Sequence, residues 1–525
     1  MANIVKEPCD EGVILSGIAA GDCSQALGRW ILAATILASS MAFIDGTVVN
    51  VALPSLQNNL NATVIGVQWV VESYSLFLSA LLLVGGALGD RYGRKLVFLI
   101  GVSLFAVASA GCGIAASINQ LIAARAIQGI GGAMLVPGSL AIISSSFAKD
   151  QRGKAIGTWS GFSAITTAIG PVFGGWLVEH VSWRAVFFLN LPLAAAVLLI
   201  SLWRVPETRD KSQRGPLDWS GAVLATITLG GLVYGLIESS RVGFLRPIVL
   251  ASLAIGVVSL PVFVFNESRA RNPMLPLRLF HSRNFRGANL LTLLLYAALG
   301  GSLFFLPLNL IQIQRYSATA AGAALLPFVV IMFTLSRWSG GLVDRFGSRL
   351  PLIVGPVIAA AGFALFALSD LNTNYWVSFF PAIAILGFGM AISVAPLTTT
   401  VMGSVSEEQA GIASGINNTV SRTAGLLAIA IFGILMLQTF SNALVHRLNE
   451  IRVDVGVRRS LYEQRVKLAG IELPATIDVE MREQVEQAIA GSFISGFRLI
   501  MFSAAALALG GALTSWLMID AKKGR

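Results

Sequence analysis

Stretches of about twenty apolar residues, the length needed to cross a bilayer core of roughly 30 Å as a helix, recur fourteen times along this chain. Nothing else constrains its fold as tightly. The first seven lie near 30–54, 64–87, 96–115, 119–143, 155–178, 184–203 and 218–237. The rest lie near 247–266, 287–309, 318–339, 350–369, 376–402, 409–440 and 491–519. In lipid each segment must satisfy its own backbone hydrogen bonds, so the fold class is an all-α membrane protein with 14 transmembrane helices. Composition agrees: 55% of residues are apolar and 12% charged, against about 25% charged in a soluble domain. A soluble enzyme, a disordered chain and a nucleic-acid binder are excluded, despite a net charge of +10.

That basic excess has an address. The loops assigned to the cytoplasm carry twenty Lys and Arg, including Arg91, Arg94, Lys95, Arg345 and Arg349, whereas the short loops on the other side hold only Arg184, Arg241, Arg246 and Arg315. By the positive-inside rule both termini are cytoplasmic, in a multi-pass protein of the plasma membrane. The 1–29 tail is mixed and polar, without the n-region and h-region of a secretory signal. Residues 441–490 carry fifteen charges in fifty, which places them in water outside the cell, with 456–468 and 478–490 as candidate amphipathic helices. Cys9, Cys23 and Cys112 read as free thiols. The three histidines, His180, His281 and His446, form no cluster, so no metal site is expected, and no cofactor.

An internal repeat organises the chain. GALGDRYGRK at 86–95 returns as GGLVDRFGSR at 340–349, and QGIGGAM at 128–134 echoes LGFGMAI at 386–392. Two related halves point to a transporter with its substrate site between them near the bilayer midplane. The expected division is a tail 1–29, a six-helix bundle 30–203, two linker helices within 218–266, a second six-helix bundle 287–519 carrying the loop 441–490, and a tail 520–525. The bundles should be pseudo-symmetric.

Ionisable side chains inside the apolar runs are the candidate functional residues, because each costs at least about 2.5–3.5 kcal/mol to insert. They are Asp45, Glu72, Arg125, Arg422 and, nearer an edge, Arg498. At 1.5 Å per residue, Asp45, Glu72 and Arg125 lie roughly 13, 12 and 9 Å from the outer ends of their helices, in one layer. Asp45 and Arg125 could also form a structural ion pair, Glu72 could be an interfacial carboxylate reaching the headgroups, and Arg422 and Arg498 read more readily as inter-helix struts. Trp69 and Tyr74 could line a pocket, although single aromatics in spans usually pack or face lipid.

Four motifs in order carry a resemblance over nearly the whole chain. They are Gly86, Leu88, Asp90, Arg91, Gly93, Arg94 and Lys95 after the second run; Arg125, Gln128, Gly129 and Gly131 on the fourth; Gly170, Pro171, Gly174 and Gly175 on the fifth; and IDGTVVNVALP at 44–54. With them the chain resembles the major facilitator superfamily, specifically its fourteen-span drug–proton antiporter branch. Thr166 departs from the pattern, which has a small residue there. The resemblance implies proton coupling through Asp45 and Arg125. Glu72 is less standard, since relatives usually carry a small or hydroxyl residue there; substrate contacts from Glu72, Trp69, Tyr74 and Arg422 are expected from their place inside the spans. The loop residues Gly86, Asp90, Arg91, Gly93 and Arg94, with Asp344 and Arg345 in the repeat, would act as a conformational latch. Gly170, Pro171, Gly174 and Gly175 mark antiporters. The implied function is export of drug-like, amphipathic cations in exchange for protons, by alternating access; the alternative is export of a specific metabolite or lipid. A membrane enzyme would need a nucleophile and base at one depth, and no Ser/His or Cys/His pair qualifies.

Overall fold

The computed structural model describes residues 25–521, except 148, 209–217, 372, 407–408, 452 and 475–476. Cys9, Cys23 and the basic residues Lys522, Lys523 and Arg525 lie outside the described residues. The architecture is helical throughout, and each expected apolar run falls on one long helix or on two short helices in series. The first half comprises α1 (Gln25–Asn59), α2 (Val64–Tyr92), α3 (Arg94–Ile114), α4 (Ile118–Ser146), α5 (Lys149–His180), and the broken pair α6 (Trp183–Phe188) and α7 (Asn190–Arg204). Two further helices follow, α8 (Trp219–Val242) and α9 (Pro247–Arg269).

The second half comprises α10 (Arg283–Leu308), α11 (Ala318–Ala324), α12 (Leu326–Gly340), α13 (Leu342–Phe346), α14 (Arg349–Ala367), α15 (Tyr375–Gly403), α16 (Ala410–Glu450), α17 (Val455–Glu463) and α18 (Val479–Met518). Among the described residues, 13 helices are long and apolar enough to cross a membrane. The fourteenth crossing is α5, 32 residues long, whose Gly, Ser and Thr content and charged first turns make it less apolar.

Packing follows side-chain size. Helices α2, α3 and α4 pack on one another and α1 packs on α5 and α7, around Phe98, Phe105, Leu135 and Val197. In the second half α10, α14, α15, α16 and α18 enclose Phe285, Phe363, Phe379, Phe440 and Phe493, each at most 0% exposed. The hairpin α8–α9 is attached differently. Helix α8 packs on α2 of the first half and on α16 of the second, and so straddles their seam. Helix α9 lies outside α8, with Val249, Gly256, Ser259 and Glu267 buried and most other side chains turned outward.

The segment 441–490 departs from expectation. Helix α16 continues to Glu450 and α18 begins at Val479, so only 451–478 connects them. The cause is a continued apolar stripe: Phe440, Leu444 and Leu448 recur every four residues and are all buried, as are Val485, Ala488 and Ile489 on α18. The charges ride on the other faces of helices that project past the apolar layer. A short helix at 455–463 does form, but 478–490 is the first part of α18 rather than a separate helix. The connection docks rather than hanging free. Gln57 donates to the Lys467 carbonyl (2.8 Å) and Lys467 Nζ donates to Asn61 Oδ1 (2.9 Å).

The turn between α2 and α3 has a defined clasp. Gly93 adopts φ +123°, in a region open to glycine, and a Cβ there would lie 2.7 Å from the Glu207 carboxylate. Glu207 caps α3, its oxygens accepting from the Lys95 and Leu96 amides (3.1 Å each), while the Arg94 amide donates to the Thr208 carbonyl (2.9 Å). A carboxylate at a helix N-terminus is stabilising. Gly93→Ala combines backbone strain with loss of this cap and is expected to destabilise the protein by about 1–3 kcal/mol. A lower midpoint in thermal unfolding of the purified protein would show it; an unchanged midpoint would reject the clasp.

Candidate functional site

Four helices of the first half converge on one buried polar knot. Helix α1 supplies Asp45; α4 supplies Arg125 and Gln128, three residues apart and so on one face; α3 supplies Ser109 and Cys112; and Asn190 comes from the start of α7. Asp45 and Arg125 are each 1% exposed. Arg125 Nη1 donates to Asp45 Oδ2 in an ion pair and to Gln128 Oε1 at 2.8 Å, and its Nε donates to the Val70 carbonyl at 3.1 Å. Asp45 Oδ1 accepts from Gln128 Nε2 at 2.9 Å and from Asn190 Nδ2 at 3.3 Å. Ser109 Oγ accepts from Asn190 at 2.9 Å and from Gln128 at 3.3 Å, and donates to the Phe187 carbonyl at 2.8 Å.

The knot is neutral and saturated on its acidic side. Both Asp45 oxygens are occupied, Oδ2 by Arg125 and Oδ1 by Gln128 and Asn190. The guanidinium also lies over the Tyr74 ring, 4.2 Å from its centre, a favourable cation–π placement. The Arg422 guanidinium, half-buried on α16, falls within electrostatic range of the Tyr74 hydroxyl. Tyr74 therefore stands at the point where the knot approaches the second half.

Glu72 is not part of the knot. At 100° per residue, Glu72 and Tyr74 point to nearly opposite sides of α2. Glu72 shares its stripe with Ile65, Gln68, Leu76 and Ser79. Ile65 and Leu76 pack against Val233 and Ile237 of α8 and Leu426 and Ala430 of α16, and Gln68 donates to the Ile429 carbonyl at 3.3 Å. Glu72 is 0% exposed, so it reaches neither lipid headgroups nor water, and among the described residues neither carboxylate oxygen has a hydrogen-bond partner. Trp69, one turn away on the same side, lies against Tyr234 of α8 with ring centres 5.8 Å apart. The common depth read from the sequence is compatible with the helices; a common cavity for all three charges is not what they form.

The loop motif makes a local pair, with Arg94 and Asp90 2.7 Å apart and both partly exposed. Its counterparts Asp344 and Arg345 sit exposed on the short helix α13. The glycines of α5 serve two neighbours. A Cβ at Gly170 would meet Thr47 Oγ1 of α1 at 2.6 Å, one at Gly174 would run into Val48, and one at Gly175 would lie 2.7 Å from the Ala318 carbonyl carbon of α11. Beside this contact Glu179 accepts from the Thr319 hydroxyl at 2.6 Å and its amide at 3.2 Å. The two halves thus meet closely at the end away from the basic loops. Thr166 satisfies its hydroxyl on its own helix, through the Ser163 carbonyl at 2.9 Å. Arg498 pairs with Asp370 at 3.3 Å, at an exposed edge.

Sequence reasoning missed Ser109, Asn190 and Glu207 as partners. Gln128 was visible, three residues after Arg125, but Asn190 at the head of an apolar run looks like any helix-start residue.

Comparison with known proteins follows the same lines. Residues 35–429 match the family model of the Major Facilitator Superfamily. The chain is 32% identical to a tetracenomycin C resistance and export protein of Streptomyces glaucescens over 505 residues, 94% of this chain and 92% of that one. It is 33% identical to the multidrug resistance protein Stp of Mycobacterium tuberculosis over 494 residues, 92% of this chain and 91% of that one. In fold it is similar to the inward-facing, unoccupied structure of a bacterial homologue of the human lysosomal transporter Spinster. The TM-score there is 0.64 at 18% identity, covering 95% of this chain and 99% of that one. With the family model matched over most of its length and these relatives aligned over more than nine-tenths of it, the chain belongs to the Major Facilitator Superfamily.

Proposed function

We propose that this transporter exports amphipathic, cationic, drug-like molecules across the plasma membrane in exchange for protons, with both termini in the cytoplasm. The observation that carries the proposal is the buried Asp45–Arg125 pair, a titratable carboxylate held at membrane depth by a cation it must release before it can take a proton. The drug-export names of relatives that align with over nine-tenths of the chain support the same reading. A proton entering from outside would occupy Asp45, free Arg125, and let α1 and α4 shift with their half. Loss of the proton to the cytoplasm would restore the pair. Two six-helix bundles rocking about the seam between them, with α8–α9 as linker helices, supply the alternating access.

Reconstitution into proteoliposomes tests this. A pH gradient, acid on the side toward which drug moves, should drive accumulation that a protonophore abolishes; transport indifferent to the gradient would overturn proton exchange. A panel of unrelated cations separates multidrug export from export of one metabolite or lipid, since only the first would pump several. Within this reading Asp90 is a latch residue. Asp90→Asn removes the pair with Arg94 and is expected to slow turnover about tenfold while leaving drug affinity within about twofold, because a loop charge acts on the conformational step. A large loss of affinity at unchanged turnover would reject the latch.

A further inference from the structure

Beneath the α8–α9 hairpin lies a cavity of about 520 Å³, within the range of small-molecule pockets. Its walls come from six helices and from the segment ahead of α10. Helix α2 contributes Ser79 and Leu83, α8 contributes Ala225 and Leu229, and α16 contributes Thr419 and Val420. Every wall belongs to the half of its helix nearer the basic loops, the Arg283 end of α10 and the Ala410 end of α16 included. The lining is apolar with scattered hydroxyls, and Arg286, exposed at the rim, is the single charged side chain along it.

This cavity and Glu72 share a wall. Glu72, Leu76, Ser79 and Leu83 recur at helical spacing on one stripe of α2. Leu76 and Leu229 belong to the small apolar cluster of α2, α8 and α16 that roofs the space. Seven residues, about 10 Å of helix rise, separate Ser79 in the cavity from Glu72 above the roof. There the carboxylate has no hydrogen-bond partner among the described residues, and the Trp69–Tyr234 pair stands one turn further on.

We infer that this space is a vestibule for amphipathic organic cations, opening beneath the linker hairpin on the basic-loop side of the bilayer and leading to Glu72 as the charge-recognition point. The inference rests on the export reading and deepens it. A buried carboxylate without a donor is costly to keep, and a cation placed against it offsets that cost. Aromatic faces beside it favour an organic cation over a hydrated metal ion, which would demand several oxygen ligands. The apolar cavity accommodates the body of such a molecule. Helix α9, largely turned to lipid, with Leu260 and Val264 exposed at 47% and 42%, puts the entrance beside the acyl chains, where an amphipathic cation already partitions. The cluster of Leu76, Leu229 and Leu426 closes the way to Glu72 in this arrangement, and because α8 bridges α2 and α16, rocking of the halves is what would part it.

Binding of tetraphenylphosphonium to the full-length protein in phosphatidylcholine nanodiscs tests this without requiring transport. Tetraphenylborate, of the same shape and opposite charge, is the comparator, and binding to empty nanodiscs is subtracted. The unmodified protein should bind the phosphonium saturably and at least about tenfold more tightly than the borate. Glu72→Gln should weaken phosphonium binding at least about thirtyfold, as removal of one partner of a buried charge pair does. Ala225→Trp, which fills the vestibule, should weaken it about tenfold, and Ala225→Phe is a smaller plug should the first fail to fold. Val107→Trp, at a position 70% exposed on the far side of the first half, should leave binding unchanged. Full binding in a folded vestibule-filled variant would overturn the route, and full binding in Glu72→Gln would overturn the charge-recognition point. Equal affinity for both ions, or no phosphonium binding by the unmodified protein, would overturn the inference as a whole. The gradient-driven assay judges export separately, with its own drug panel.

Discussion

Replacing Asp45 by Asn is expected to abolish pH-driven efflux, with a rate at least about a hundredfold below that of the unmodified protein, since the carboxylate is the proposed proton carrier. Asn keeps the volume and one acceptor, so Gln128 and Asn190 retain a partner, but it cannot titrate. The ion pair adds a second consequence. Arg125, 1% exposed, is left without its counter-charge, and breaking a buried pair from one side typically costs about 3–5 kcal/mol. Asp45→Asn should therefore also lower the thermal midpoint. The double variant Asp45→Asn/Arg125→Gln removes the stranded charge. It should recover most of the stability and none of the proton coupling, and that separation distinguishes a proton carrier from a strut. Gradient-driven accumulation at normal rates in the double variant would take Asp45 out of the mechanism.

The readability of this chain divides along physical lines. Lipid forces a one-dimensional signal, so fourteen apolar runs translate into fourteen crossings with little room for another topology. The exceptions arise where that signal stops. Past the apolar layer, α16 and α18 continue as helices because one stripe, Phe440 to Leu448, stays apolar while the other faces take charges; a loop defined by charge density overlooks such a stripe. Asp45 and Arg125 were legible singly because charge in lipid demands an explanation. Their partners were not. Ser109 and Asn190 are small polar groups of a kind that many spanning helices carry, and only the approach of α1, α3, α4 and α7 gives them a role. Depth can be counted from helix ends, which is how the sequence assigns Glu72 a layer. Azimuth could not be assigned without knowing what packs on α2, and helix α8 covers the side that Glu72 faces.

Gly322→Ala should unseat the seal between the halves. A Cβ at Gly322 would run into the Pro171 carbonyl, 2.5 Å from its carbon and 3.0 Å from the Val172 amide nitrogen. Backbone atoms cannot rotate aside as a side chain could. The reciprocal contact, Gly175 against the Ala318 carbonyl, closes the same surface from the other helix, so α5 and α11 must separate or tilt to admit one methyl group. Overpacking of this kind costs about 1–3 kcal/mol. In the proposed alternating access the other state parts these helices, so the cost would fall only on the arrangement in which they touch. A two-state transporter should therefore shift by about fivefold to a hundredfold toward the state open at this end. Spin labels at Val181 and Ala320, beside the α5–α11 contact, would report it as a longer mean distance in nanodiscs. Gradient-driven efflux should fall with the shift, and proton leak should rise as the seal loosens. Gly403→Ala, where an added Cβ meets nothing within 4 Å, serves as the control. If Gly322→Ala left both the distance and the efflux rate of the unmodified protein in place, α5 and α11 would not be the surface that opens.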